Sequence, residues 1–100
     1  MPSMFDQRLG CTASSLDDWV YVCGGNDGFN CLPSAERYSM VTGLWEVLPD
    51  MLHPRERFAA SAIDGYLYVC GGEGDKQVLN AVERWNPVIG TWQGLPPMPL

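Results

Sequence analysis

Apolar residues in this chain fall into short runs of strand length, and each run is closed by glycine, proline or an Asp-Gly pair. No stretch of roughly 11 residues or more carries the three-to-four spacing of an amphipathic helix. The segment Phe58 to Ile63 is small and apolar (Ala59, Ala60, Ser61, Ala62), which suits a strand in crowded surroundings. Asp64-Gly65 signals a tight hairpin, because a type I′ turn needs positive φ and glycine supplies it without steric cost. Tyr66 to Cys70 is aromatic and β-branched, the composition of a second strand, and Gly71-Gly72 stops it. A polar stretch follows from Glu73 to Gln77. The third strand is predicted from about Leu79 to Trp85, where Asn86-Pro87 breaks it. Val88-Ile89-Gly90 then turns the chain into a short fourth strand, Thr91 to Leu95. Short connections make these strands antiparallel neighbours.

The same pattern occurs twice. A shift of 47 residues places Val20-Tyr21-Val22-Cys23-Gly24-Gly25 on Leu67-Tyr68-Val69-Cys70-Gly71-Gly72. It also places Glu36-Arg37-Tyr38 on Glu83-Arg84-Trp85, Trp45 on Trp92, and Leu48-Pro49 on Leu95-Pro96, with no insertion. Arg8, Ala13, Ser14 and Asp17 fall on Arg55, Ala60, Ser61 and Asp64. A Pro-x-Met tripeptide recurs at the same period, beginning at Pro2, Pro49 and Pro96. A period of this length marks a repeat architecture. Within each unit the paired glycines allow close backbone approach at a strand end. Trp45 and Trp92 each bring about 200 Å² of apolar surface to fill the gap between adjacent sheets. Glu36-Arg37 and Glu83-Arg84 point to opposite faces of their strand and are read as framework charges, paired with backbone or with each other.

These residues resemble the Kelch repeat. The resemblance rests on Gly24-Gly25 and Gly71-Gly72, an aromatic residue thirteen positions on (Tyr38, Trp85), and tryptophan seven further on (Trp45, Trp92). It covers nearly the whole chain. Asp18, standing where the other copy has the turn glycine Gly65, is the one departure, and aspartate tolerates left-handed geometry. The fold class implied is all-β: two four-stranded antiparallel blades of a β-propeller, residues 1–50 and 51–100, within one propeller domain. Blades stack radially and rings close at roughly four to eight of them. Two blades therefore leave two apolar faces to be covered, either by further blades of a longer, six-bladed parent or by association of three copies.

Composition narrows the function. Twelve acidic against six basic residues, a net charge of −6, disfavour nucleic acid, whose phosphates need clustered Lys and Arg. No leader or membrane span is evident, since the longest apolar runs, such as Trp19 to Cys23, are strand-length. Cys11, Cys23, Cys31 and Cys70 are read as structural thiols of a reducing compartment, cytoplasmic or nuclear, because Cys23 and Cys70 occupy equivalent packing positions and no CxxC pair occurs. His53 has no nucleophile arranged around it and the carboxylates form no evident acid–base pair, so no enzyme, cofactor or metal is expected.

Binding is expected on the rim formed by the second-to-third-strand loops and the links between units, where loops vary on a rigid frame. The candidates are Arg8, Arg55 and Arg57 ahead of the first strands, with Phe29, Asn30, Lys76 and Gln77 in the loops. Arginine forks suit carboxylates, and Arg57 occupies the position where Kelch adaptors place an arginine that reads acidic degron peptides. The resemblance, closest in flavour to Kelch-like proteins with a BTB domain, implies a protein-interaction scaffold serving as substrate receptor of a cullin-type ubiquitin ligase. An actin-binding cytoskeletal role is the alternative. An oxidase of the copper kind, also built on a propeller, would need Tyr, His and Cys ligands absent here.

Overall fold

The computed structural model describes residues 8–75 and 77–99. Eight strands follow in order: β1 (Thr12–Leu16), β2 (Trp19–Cys23), β3 (Ala35–Ser39), β4 (Trp45–Leu48), β5 (Ala59–Ile63), β6 (Tyr66–Cys70), β7 (Val82–Asn86) and β8 (Thr91–Leu95). They form two four-stranded antiparallel sheets, ordered β1-β2-β3-β4 and β5-β6-β7-β8. The registers repeat as the sequence does, with Val22 opposite Glu36 and Val69 opposite Glu83.

Three boundaries differ from the sequence expectation. The third strand of the second sheet begins at Val82, not Leu79, because Leu79 N–H is committed to Gly72 O (2.8 Å) across the mouth of the preceding loop. It also runs through Asn86. The residue before proline favours extended backbone, and Asn86 pairs with Thr91 while its Oδ1 accepts the Val88 N–H (3.0 Å). Phe58 lies just outside β5, and its carbonyl accepts the Thr12 hydroxyl of the first sheet at 2.8 Å. The hairpins differ too. Asp64 and Gly65 both take positive φ (51° and 83°), but in the first unit only Asp17 does (55°), so Asp18 is spared the left-handed role expected of it.

The core is the seam between the sheets. Leu16, Tyr21, Cys23, Ala35 and Leu48 of the first sheet meet Leu67, Val69, Trp85 and Trp92 of the second, with Met51 and Phe58 from the link between them. Trp92 Nε1 donates to Pro49 O at 2.8 Å, fastening the outer end of the seam. The duplication supplies its own control, because most covered residues of the seam have a more exposed counterpart at the equivalent position of the other copy (Val69 and Val22 are buried in both). Leu16 is buried while Ile63 is 54% exposed; Trp92 is 7% exposed while Trp45 is only half-buried. Tyr21, Cys23 and Leu48 are buried where Tyr68, Cys70 and Leu95 are not. Each outer face thus repeats the residues of the inner face of the other sheet. Full burial of one large apolar side chain contributes about 1.5–3 kcal/mol, so both outer faces are built to receive another sheet in the same head-to-tail manner.

Glycine is required where the link crosses the sheet ends. Gly24 has φ 63°, and a Cβ there would collide with Arg55 O and lie 2.7 Å from the Phe58 ring; at Gly72 (φ 87°) it would lie 2.7 Å from Glu56 O. Gly24→Ala is expected to lower the unfolding free energy by about 2–4 kcal/mol, since both backbone strain and overlap with main chain must be relieved. Denaturant melts check this, with Gly28→Ala as the comparison: Gly28 also has positive φ, but its added Cβ meets nothing within 4 Å.

Candidate functional site: the loop rim

Arginines are expected to show on an open surface, yet two of the five in this chain, the equivalent Arg8 and Arg55, turn inward. Arg55 Nη1 donates to Gly71 O (2.9 Å) and Ala81 O (3.1 Å), and Nη2 to Glu83 Oε2 (2.9 Å). Arg8 repeats this with Gly24 O (2.8 Å), Ser34 O (2.9 Å) and Glu36 Oε2 (2.9 Å). Both guanidinium side chains are completely buried and so are the carboxylates they meet, to within 1%. This corrects the expectation that Arg8 and Arg55 face a partner. A charge taken out of water must be paired and hydrogen-bonded, and here each locks a link onto the sheet that follows it. Glu83 also accepts Leu52 N–H (2.6 Å) and His53 N–H (3.3 Å), completing a clamp on the incoming chain.

Of the expectation that Glu and Arg of the third strands pair with backbone or with each other, the backbone half holds for Glu83, which accepts Leu52 and His53 N–H, and the mutual pairing is corrected. Glu36 and Glu83 face the buried arginines, whereas Arg37 bonds Glu46 (2.9 Å) and stacks 3.7 Å from the Trp19 ring. Arg84 bonds Gln93 (2.8 Å) and stacks 4.1 Å from the Tyr66 ring. The framework reading of these charges stands; the side-chain partners are different.

Two loops and the link converge on one rim. In the loop after β2, Asn26 pairs with Leu9 on one side and Cys31 on the other; in the loop after β6, Glu73 pairs with Glu56 and Val78. The first loop is closed by Asp27, whose Oδ1 accepts Phe29 N–H (2.9 Å) and Asn30 N–H (3.0 Å). Those two donors, Asn30 first, hold the Asp27 carboxyl below its ordinary range. The turn leaves Phe29 at its tip, 89% exposed, with Asn30 exposed beside it. Cys31 then joins the two loops: its N–H donates to Asp75 Oδ1 (2.6 Å) and its thiol lies 3.6 Å from Glu73 O.

Gln77 is exposed and lines two hollows, one of about 300 Å³ with His53, Pro54, Gly74, Asp75 and Leu79, and a shallower one of about 450 Å³ that also includes Glu56, Glu73 and Val78. Arg57 is exposed, at φ 53°, and meets Glu73 at 3.1 Å. An exposed pair of this kind is worth about 1 kcal/mol or less, so Arg57 stays available. Lys76 lies outside the described residues. Leu9 and Val78, both strongly exposed on this rim, escaped sequence reasoning, because an apolar residue beside a strand end reads as core until its surroundings are known.

All four cysteines are free thiols. Burial pushes the Cys23 thiol up to about 12, and burial followed by Asp75, Glu56 and Glu73 pushes Cys31 up to about 11. The thiolate is the nucleophile, so both are expected to alkylate far more slowly than a free thiol at pH 8 and to accelerate only as pH rises towards those values. Mass spectrometry of iodoacetamide-treated native protein checks this; rapid labelling of Cys31 at pH 8 would contradict the geometry. Among the described residues no group of three or more His, Cys, Asp or Glu is placed to hold a metal ion.

Comparison with known proteins agrees with this geometry. The model of the Kelch motif matches residues 7–52 and 54–99. "Kelch repeat and BTB domain-containing protein 2" of cowpox virus (strain Brighton Red) is 35% identical over 51 residues, 51% of this chain and 9% of that protein. The protein of the same name from ectromelia virus (strain Moscow) is also 35% identical over 51 residues. The chain therefore spans under a tenth of the curated relatives it matches. Among solved structures, YjhT superposes with a TM-score of 0.84 at 26% identity, over 95% of this chain and 29% of that one. A fungal alcohol oxidase of the AA5 family, in complex with copper, superposes with a TM-score of 0.84 at 15% identity, over 93% of this chain and 23% of that one, a likeness of fold alone. With its two sheets, its buried Arg–Glu clamps and its paired glycines each falling within a matched motif, the chain belongs to the Kelch-repeat family.

Proposed function

We propose that this chain is part of a non-enzymatic propeller that holds a partner polypeptide on the loop rim. One observation carries the reading: the frame is the same in both units down to individual hydrogen bonds, while the two loops it presents differ in sequence and in what they expose. Phe29 stands at the tip of one loop; at the equivalent place the other has Lys76. Variable loops on a rigid frame are where recognition is placed, and an aromatic side chain 89% exposed, like Phe29, is the kind that anchors interfaces. The BTB-Kelch name of the viral relatives extends this to a substrate-receptor role in a cullin-type ubiquitin ligase, in the cytoplasm or nucleus, with the BTB domain outside this chain.

Capture from lysate by immobilised chain, compared with Phe29→Ala and Arg57→Ala, tests the rim. Loss of a captured protein with an unchanged melt is the expected result, and capture indifferent to both substitutions would remove the rim assignment. Co-sedimentation with actin filaments, abolished by neither substitution, would favour a cytoskeletal role instead.

A further inference from the structure

The inward turn of Arg8 and Arg55 changes the chemistry the rim offers. Their charges are matched by Glu36 and Glu83 in the interior and contribute nothing outside. What faces solvent is acidic and apolar together. Asp27, Glu56, Glu73 and Asp75 lie along the two loops and the link, and Arg57 is the one arginine exposed there among the described residues, already set against Glu73 at 3.1 Å. Even with Lys76 counted from the sequence, four carboxylates outnumber two cations. Between and beside them stand Leu9 at 71%, Phe29 at 89% and Val78 at 81% exposure, three apolar side chains that the fold of the chain leaves uncovered.

The arrangement is continuous. Leu9 pairs with Asn26 at the root of the Phe29 loop, Cys31 of that loop bonds Asp75, and Asp75 borders a hollow of about 450 Å³ whose walls also include Glu56, Glu73 and Val78. Three carboxylates therefore line one side of a depression beside an apolar residue. All three also act on the buried Cys31 thiol, whose proton they help to retain, which places their charges close together.

We infer that the rim docks an extended segment carrying lysine or arginine beside bulky apolar side chains, the apolar groups on Leu9, Phe29 and Val78 and the cation in the hollow between Glu56, Glu73 and Asp75. The inference rests on the rim-docking reading above and reverses the charge of the partner that the arginines alone suggest. Complementary charge sets register and encounter rate, and like charge excludes the wrong partner; an acidic segment would meet four carboxylates here. An arginine or lysine stem would cover Val78 while its head reaches the carboxylates.

Selection of a displayed random-peptide library on the immobilised full chain tests this. Peptides that combine Lys or Arg with Leu, Val or aromatic residues are the expected enrichment. A synthetic peptide from that pool should lose tenfold or more in affinity when its basic residues become glutamate, or when salt rises from about 0.1 to about 0.5 M, which shortens the screening length. Glu56→Gln/Glu73→Gln should weaken it similarly, with the melt recorded alongside, and Phe29→Ala should weaken it without changing salt dependence. Enrichment of acidic peptides that are lost with Phe29→Ala would overturn the charge assignment and leave the rim standing. Peptides of any charge that ignore Phe29→Ala, or no enrichment at all, would overturn both.

Discussion

Replacing Arg55 with methionine is expected to cost about 3–5 kcal/mol of unfolding free energy, because it strands a buried carboxylate. That is a large part of the roughly 5–15 kcal/mol by which a domain resists unfolding. Glu83 is completely buried and has Arg55 as its cationic partner at 2.9 Å; removal of the guanidinium also takes a donor from Gly71 O and one of two donors from Ala81 O, which keeps the Gly71 N–H. Glu83→Leu should be at least as damaging, since it releases Leu52 N–H and His53 N–H as well. Arg55→Met/Glu83→Leu should cost less than the two single changes added together, because groups sharing one network are not independent. Arg57→Met, two residues away with its side chain 70% exposed, should change stability by about 0.5 kcal/mol or less. Urea titrations of these four variants check the series. Equal effects at Arg55 and Arg57 would contradict the clamp.

Trp92→Ala is expected to cost about 3–5 kcal/mol, and half-buried Trp45→Ala less than that, although the two tryptophans hold the same position in their repeats. Trp92 fills the seam between the sheets and tilts against Trp85 at 5.6 Å; Trp45 tilts against Tyr38 at 5.3 Å and is half-buried, on the face of the first sheet that the second sheet does not cover. The difference measures what one neighbouring sheet contributes. At concentrations where copies associate face to face, the Trp45 effect should rise towards the Trp92 effect, because the association would cover it in the same way.

Much of this fold was legible in the residues. Asp64-Gly65, Gly71-Gly72 and the tryptophans each have one structural use, and the 47-residue register repeated the paired-glycine and tryptophan signals. Tyr66–Cys70 and Thr91–Leu95 match the observed strands residue for residue. Leu79 to Ala81 misled, because an apolar run carries no sign that its first amide is spent across a loop. The site was less legible. An arginine just ahead of a strand looks the same in sequence whether its side chain turns outward, as Arg57 does, or inward, as Arg55 does. The deciding feature is a glutamate 28 residues further along, on the third strand of the next sheet. That separation recurs between Arg8 and Glu36, so the repeat did contain the signal: Arg8 and Arg55 are equivalent and so are their glutamates, whereas Arg57 stands against Gly10. Position two residues apart decided burial, and only the pairing of both copies reveals it.

The account depends on sheets that bury their apolar faces by stacking on another sheet of the same kind. Sedimentation velocity of the 100-residue chain across a concentration series tests that most directly. Reversible association is predicted, weakened when the outer-face Ile63 and Leu95 are made polar. A monodisperse monomer at every concentration, melting in one cooperative step with both outer faces in water, would contradict it.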